Sequence, residues 1–272
     1  MVTADGPGRR VAIVVGAASG MGRATALRLA SDGFAIGMAD RDEPRVQEVA
    51  DELAASGREH RAAPMDLADP DSVEKAVEEL AAKLGAPWLL AVPAAVLENG
   101  WALEAPRAHF ERVIRINLLG VITANVAATR LMVEAGAGGR IINWSSNNAV
   151  GGSAGASAYA ASKAGVDAFT ASIAVELGPY GITANSLRPG SVRTPMLAHL
   201  DADRIERERR RIPVGRWGEP EDAAALVSFL ARDEASWLTG AAIPIDGGTL
   251  AGHGRRSVAE AADRARRGDE RV

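Results

Sequence analysis

The chain has 272 residues, ample to bury a core, and its 31 Lys and Arg against 35 Asp and Glu leave a net charge of −4, which argues against nucleic-acid binding through bulk positive charge. It has no cysteine, and its four histidines (His60, His109, His199, His253) never pair at i, i+3 or i+4, so disulfide scaffolds, thiolate chemistry and a metal site are not expected. No apolar run is expected to reach the roughly 20 residues that cross a bilayer, and residues 1–10 lack the apolar centre of a signal peptide, so the expectation is a cytoplasmic protein with no membrane partner.

Short apolar runs alternate with helical patterns. Residues 11–15 read as a buried strand and 20–31 as a helix with Ala24, Leu27 and Ala30 on one face. A second strand spans 34–39 and a second helix 43–56. A short strand near 61–65 precedes a helix over 70–84, and a strand follows at 88–92. Residues 106–135 read as one long helix. After it come a strand at 140–144, a helix at 157–177, a strand at 182–187, a helix at 219–231 and a last strand at 241–245. The strands are continuous apolar runs, as strands buried on both faces should be. The rhythm predicts an α/β fold: one Rossmann-type, doubly wound parallel sheet of about seven strands with helices on both faces. No repeat or long linker divides the chain, so residues 1–250 are expected to form one dinucleotide-binding and catalytic domain. Residues 251–272 form a charged tail, expected to be mobile.

The first strand runs into Gly16-Ala17-Ala18-Ser19-Gly20-Met21-Gly22. Glycine permits a tight turn and a close approach of backbone to a pyrophosphate. The helix that opens near Gly20 offers unpaired N–H groups and a positive dipole end. Gly16, Ser19, Gly20, Met21 and Gly22 are therefore the candidate phosphate contacts. Asp40 ends the second strand, where a carboxylate accepts both ribose hydroxyls of an adenosine and repels a 2′-phosphate. It favours NAD over NADP as cofactor, and the adjacent Arg41 softens that preference.

Tyr159 and Lys163 lie four apart on a predicted helix, which puts them on one face. An ammonium near a phenol favours the phenolate and lowers its pKa. Ser146 follows the strand at 140–144, at the carboxyl end where chemistry sits in such sheets. Together with Asp66, Asn117, Pro189-Gly190, Arg216-Trp217-Gly218-Glu219-Pro220 and Asp246-Gly247-Gly248, these residues resemble the short-chain dehydrogenase/reductase family over residues 9–250.

That resemblance implies a sheet order of 3-2-1-4-5-6-7 and a hydride transfer between NAD(H) and a secondary alcohol or ketone. It implies a catalytic set of Asn117, Ser146, Tyr159 and Lys163. Tyr159 would exchange the proton, Lys163 would lower its pKa and hold the nicotinamide ribose, Ser146 would bind the substrate oxygen, and Asn117 would hold a water. Asp66 and Leu67 would face the adenine. Pro93, Ala94, Pro189, Gly190, Val192 and Thr194 would complete the cofactor site. Ser146, Asn148, Tyr159 and Met196 would meet a small-molecule substrate. Residues 197–211, dense in charge, would form a mobile helix that closes over it. Two long helices, 106–135 and 157–177, would associate the chain as a homotetramer.

The chain departs from the family at two places. The glycine loop opens Val15-Gly16 where the family has Thr-Gly, and Val92-Pro93-Ala94-Ala95 stands where the family has Asn-Asn-Ala-Gly. Losing both partners of a hydrogen bond can be nearly neutral. The expectation is a compensated swap, with Val15 packed on the 92–95 segment. Two other readings compete. A reductase of carrier-bound 3-oxoacyl groups would use basic docking residues, with Arg130 and Arg140 as candidates. A silent NADH-binding regulator would bind without turnover.

Overall fold

Seven apolar stretches become strands: β1 (Val11–Val15), β2 (Ala35–Asp40), β3 (His60–Pro64), β4 (Leu89–Val92), β5 (Gly139–Trp144), β6 (Ile182–Pro189) and β7 (Ala242–Ile245). The computed structural model describes residues 10–55 and 57–252. Every strand pairing there is parallel, in the order β3-β2-β1-β4-β5-β6-β7. Eight α-helices are described: α1 (Gly20–Ser31), α2 (Glu43–Ala55), α3 (Pro70–Leu84), α4 (Arg107–Ile114), α5 (Val121–Ala135), α6 (Ser157–Leu177), α7 (Ala202–Arg209) and α8 (Pro220–Leu230).

Strand residues alternate between two cores because successive side chains point to opposite faces. Ala12, Val14, Leu89, Ala91 and Ile142 pack with α1, α2 and α8. Ile13, Val15, Leu90, Val92 and Ile141 pack with α3, α5 and α6. All five residues of β1 are buried, which explains why it reads as an unbroken apolar run. Helix ends follow local chemistry. The Asp69 carboxylate accepts the Asp71 N–H at the start of α3, with Pro70 as its first residue, and Gly85 closes it at φ +103°. Asp222 accepts the Glu219 N–H at 2.8 Å at the start of α8 and is gripped by both Arg216 nitrogens at 2.7 and 2.9 Å.

The expected sheet order and layers are those observed, with several element ends displaced by a residue or two. One expectation fails outright. Residues 106–135 are not a single regular helix: α4 and α5 are joined by a π-helical turn, Arg115–Gly120. The wider turn holds Asn117 fully buried. Gly120 also permits a close approach, since a Cβ there would sit 2.3 Å from the Leu67 carbonyl oxygen. The expectation about apolar runs is corrected as well. Arg107–Ala135 is long and apolar enough by composition to cross a membrane. Here its buried side packs on the sheet, where the Asn125 amide donates to Asn143 Oδ1 at 2.9 Å, so it behaves as a core helix.

The charged stretch expected at 197–211 contains α7, which buries no residue of its own. Its anchor is Trp217, buried to 3% exposure, whose indole N–H donates to the Ile205 carbonyl at 3.1 Å. The tail expected to be mobile lies outside the described residues from 253 onward.

Candidate active site

The carboxyl ends of β1, β2 and β4 open into a cleft of about 280 Å³. Gly16 turns the chain at φ +90° and donates to the Ala39 carbonyl at 2.7 Å. A Cβ on Gly16 would lie 2.8 Å from Ala94, and one on Gly22 would lie 1.8 Å from the Gly16 carbonyl oxygen. No larger residue fits either position without moving backbone. The Ser19 side chain makes no cap bond to α1, so the first-turn amides of that helix remain as donors at its positive end. Tight glycine turns beneath an uncapped helix start suit a dinucleotide pyrophosphate. Gly16, Ser19, Gly20, Met21, Gly22, Asp40, Arg41, Asp66, Leu67, Pro93, Ala94 and Thr194 line this cleft, and so does Met196, expected instead to meet the substrate.

Asp40 has a second task that the sequence did not suggest. Its carboxylate accepts the Ala18 N–H at 3.0 Å and the Asp42 N–H at 3.1 Å, tying the glycine loop to the end of β2. Arg45 also lines the cleft and pairs with Asp42 at 3.5 Å; no sequence signal marked it. The apolar departures do meet. Ala94 N–H donates to the Val15 carbonyl at 3.1 Å, and Val15, Val92 and Ala94 share one apolar cluster. Packing with a backbone bond thus replaces the polar contact usual in the family.

The catalytic candidates form a second group. The Ser146 hydroxyl stands close enough to the Tyr159 phenol to favour its ionised form. Lys163 is 1% exposed, its ammonium 5.7 Å from the centre of the Tyr159 ring, and it donates to the Trp144 carbonyl at 2.6 Å. Ser145 Oγ donates to the Lys163 carbonyl at 3.0 Å, pinning α6 to the end of β5. Burial pulls the Lys163 amine down to about 8, against a partial lift from the negative charge of Asp167. Burial also pushes the Tyr159 phenol up, which the Ser146 hydroxyl partly offsets. This corrects the expectation for Tyr159: the dominant influence is desolvation, not the ammonium one turn away.

Asn117 also differs from its expected part. Its amide is spent on the backbone, donating to the Val96 carbonyl at 2.8 Å while its oxygen accepts the Val96 N–H at 2.8 Å. A weaker bond of 3.4 Å reaches Ser162 Oγ. The side chain therefore braces the loop after β4, a task beyond the water-holding one expected of it.

Some candidates stand apart from the cleft lining: Asn117, Ser146, Asn148, Tyr159, Lys163, Pro189, Gly190 and Val192. Gly190 borders Ser146's neighbour, since a Cβ there would meet Asn147 Nδ2 at 3.4 Å. Val192 is buried against Gly218, and the bridge between them uses the Ser191 carbonyl and the Arg193 N–H, not Val192's own amide. Asn148 is partly engaged within its own loop. Its N–H bonds Ser146 Oγ at 3.1 Å and its oxygen accepts from Ser153 at 3.0 Å, so it shapes the turn. Arg140 is withdrawn as a docking cation, being 5% exposed and bonded to the carbonyls of Leu230, Gly139 and Arg232. No cluster of three or more metal-ligating side chains occurs among the described residues.

Known proteins resemble this chain in sequence and fold. Residues 16–249 match the family model described as enoyl-(acyl carrier protein) reductase. The chain is 41% identical over 247 residues to cis-4-hydroxycyclohexanecarboxylate dehydrogenase of Sinomonas cyclohexanicum, covering 89% of this chain and 97% of that one. It is 39% identical over 245 residues to short-chain dehydrogenase/reductase eriH of Hericium erinaceus, covering 88% and 97%. The crystal structure of a short-chain type dehydrogenase/reductase from Mycobacterium marinum superposes with a TM-score of 0.86 at 34% identity, covering 89% and 96%. With this sheet order, this glycine loop and this Ser–Tyr–Lys grouping, the chain belongs to the short-chain dehydrogenase/reductase family.

Proposed function

We propose that the chain interconverts a secondary alcohol and a ketone, with Tyr159 as the proton-exchanging group, Ser146 as the second ligand of the substrate oxygen and Lys163 as the supporting cation. The single observation that carries this reading is the closeness of the Ser146 hydroxyl to Tyr159, whose ring lies near a buried ammonium. Two hydroxyls this close can also converge on one substrate oxygen. In reduction the Tyr159 O–H donates its proton to that oxygen while Ser146 donates a hydrogen bond to the charge developing there. In oxidation the Tyr159 oxygen takes the proton back. The nicotinamide, when bound, supplies or accepts the hydride. The raised phenol keeps its proton at neutral pH, which suits ketone reduction; alcohol oxidation rises with pH as the phenol ionises.

Family members take nicotinamide dinucleotides, and the reading here is a preference for NAD. Asp40 lines the cleft, and a carboxylate there repels a 2′-phosphate while Arg41 stands beside it. A dehydrogenase that acts on a cyclic hydroxy acid is among the relatives, which supports a small hydroxylated or oxo substrate. For association, the reading is a homotetramer built partly on α5 and α6. A groove of about 460 Å³ between them is lined by Val126, Val133, Phe169 and Ile173, with Arg130 and Glu134 at hand for reciprocal pairing.

The test is Tyr159→Phe, assayed for NADH oxidation over a ketone panel. A loss of about 10³-fold with NADH binding retained is expected for removal of a proton-exchanging group. Full activity in that variant overturns the mechanism.

A further inference from the structure

Asp167 lies one helical turn beyond Lys163 on α6, so Tyr159, Lys163 and Asp167 repeat at i, i+4 and i+8 down one face. Its side chain is 11% exposed. One oxygen accepts the Ser186 hydroxyl at 2.5 Å and the other accepts Arg188 Nε at 2.8 Å, both from β6. The Arg188 side chain is itself only 22% exposed, so solvent screens this pair weakly. The reading of Tyr159 and Lys163 given above does not use this network.

We propose that Asp167 is a positioning residue that holds the positive charge of Lys163 beneath Tyr159, and that Arg188 sets how much of the Asp167 charge is left for that task. The proposal rests on the reading of Tyr159 and Lys163 as the reacting pair. The surroundings leave few other groups to do this. On α6 the ionisable neighbours of Lys163 are Tyr159 and Asp167; β6 adds Arg188 through Asp167. The end of β5 offers only the Trp144 carbonyl and the Ser145 hydroxyl, and the π turn offers the neutral Asn117 by way of Ser162. Asp167 is thus the one anion whose charge supports Lys163 among the described residues. Without it, a fully desolvated ammonium would be left with no anion beside it.

The geometry makes two substitutions act with opposite sign. Asp167→Asn keeps one acceptor for Arg188, turns an NH2 donor toward the Ser186 hydroxyl and removes the anion, so the Tyr159–Lys163 pair gives up its first proton at lower pH. Arg188→Gln leaves Asp167 unneutralised, so the pair holds its proton to higher pH. Loss of packing alone would not move the two variants in opposite directions.

Two readouts apply to the full chain. The first is the acid limb of the kcat/KM profile for alcohol oxidation. It is expected to move down by about one pH unit in Asp167→Asn, with a lower plateau because the remaining proton shifts from Lys163 to Tyr159. It is expected to move up in Arg188→Gln and to return in Asp167→Glu. The second readout needs no turnover. The chain has two tyrosines, so in a Tyr180→Phe background phenolate absorbance reports Tyr159 alone. Its midpoint is expected to shift up in Asp167→Asn, where the proton left on the pair sits on Tyr159, and down in Arg188→Gln. Absorbance midpoints that stay put, or move the same way in both variants, overturn the proposal. Opposite absorbance shifts with an unmoved rate limb uphold the coupling and overturn instead the assignment of Tyr159 as the reacting group.

Discussion

A buried cation lies near each end of β5, Arg140 on the strand and Lys163 on α6, and the two behave differently. Arg140, near the amino end, has its guanidinium spread over three carbonyls and laid on the Trp88 ring, 4.7 Å from its centre. Asp233 lies 4.0 Å away, and Arg10 covers the other part of Trp88 at 3.9 Å. At the carboxyl end, Lys163 spends one donor on Trp144 and keeps the rest of its three. Burial pulls both side chains below their ordinary pKa values, yet an arginine starts so high that it stays charged. The lesson concerns where each cation is held. Arg140, bound to three carbonyls away from any reacting group, is a brace, whereas Lys163, bound to one carbonyl beside a phenol, is available for chemistry.

The comparison breaks most sharply in activity. Lys163→Met is expected to cost about 10²-fold or more in kcat/KM, the scale of removing a group that supports proton transfer, while unfolding in denaturant shows little loss. Arg140→Met should do the reverse. It strands buried carbonyls and is expected to lower stability by about 3 kcal/mol with kcat/KM nearly unchanged. Equal activity losses in the two variants would erase the distinction.

A smaller effect sharpens the contrast through pH. The Lys163 amine titrates at about 8 in the fold against an ordinary 10.5. Between those values the unfolded chain binds more protons, so stability rises with pH across that window, and below it the cost of burying the charge is constant. Wild type measured against Lys163→Met should therefore gain up to about 3 kcal/mol from pH 8 to 10.5. The same comparison of wild type with Arg140→Met should stay flat. The smallest expected effect is at the cofactor end: Asp40→Ser should lower kcat/KM with NAD about tenfold and narrow the gap to NADP, read from initial rates with each dinucleotide.

Much of this architecture was legible because its signals are local. The five residues of β1 are apolar in unbroken sequence since both faces are covered, and the glycine loop follows directly. Tyr159 and Lys163 are visible as a pair because helical spacing alone brings them together. What escaped depends on contacts distant in sequence. Nothing around Asn117 announces the π turn or its bonds to Val96, which lies 21 residues away. Arg140 looked like a docking cation because its partners, Leu230 and Arg232, are some 90 residues further on. The raised phenol of Tyr159 reflects burial, which no spacing reveals. Asp167 was within reach of the same i, i+4 rule that found Lys163, but its partners on β6 were not.

The two loop amides held by Asp40 carry a consequence for re-engineering. The side chain that would discriminate between dinucleotides is also the knot that fastens the turn between β1 and α1 to its neighbour. Cutting it to admit an extra phosphate loosens the cradle for the phosphates already common to both. A graft that aims to switch preference must therefore supply a fresh acceptor for Ala18 and Asp42 along with any new cation.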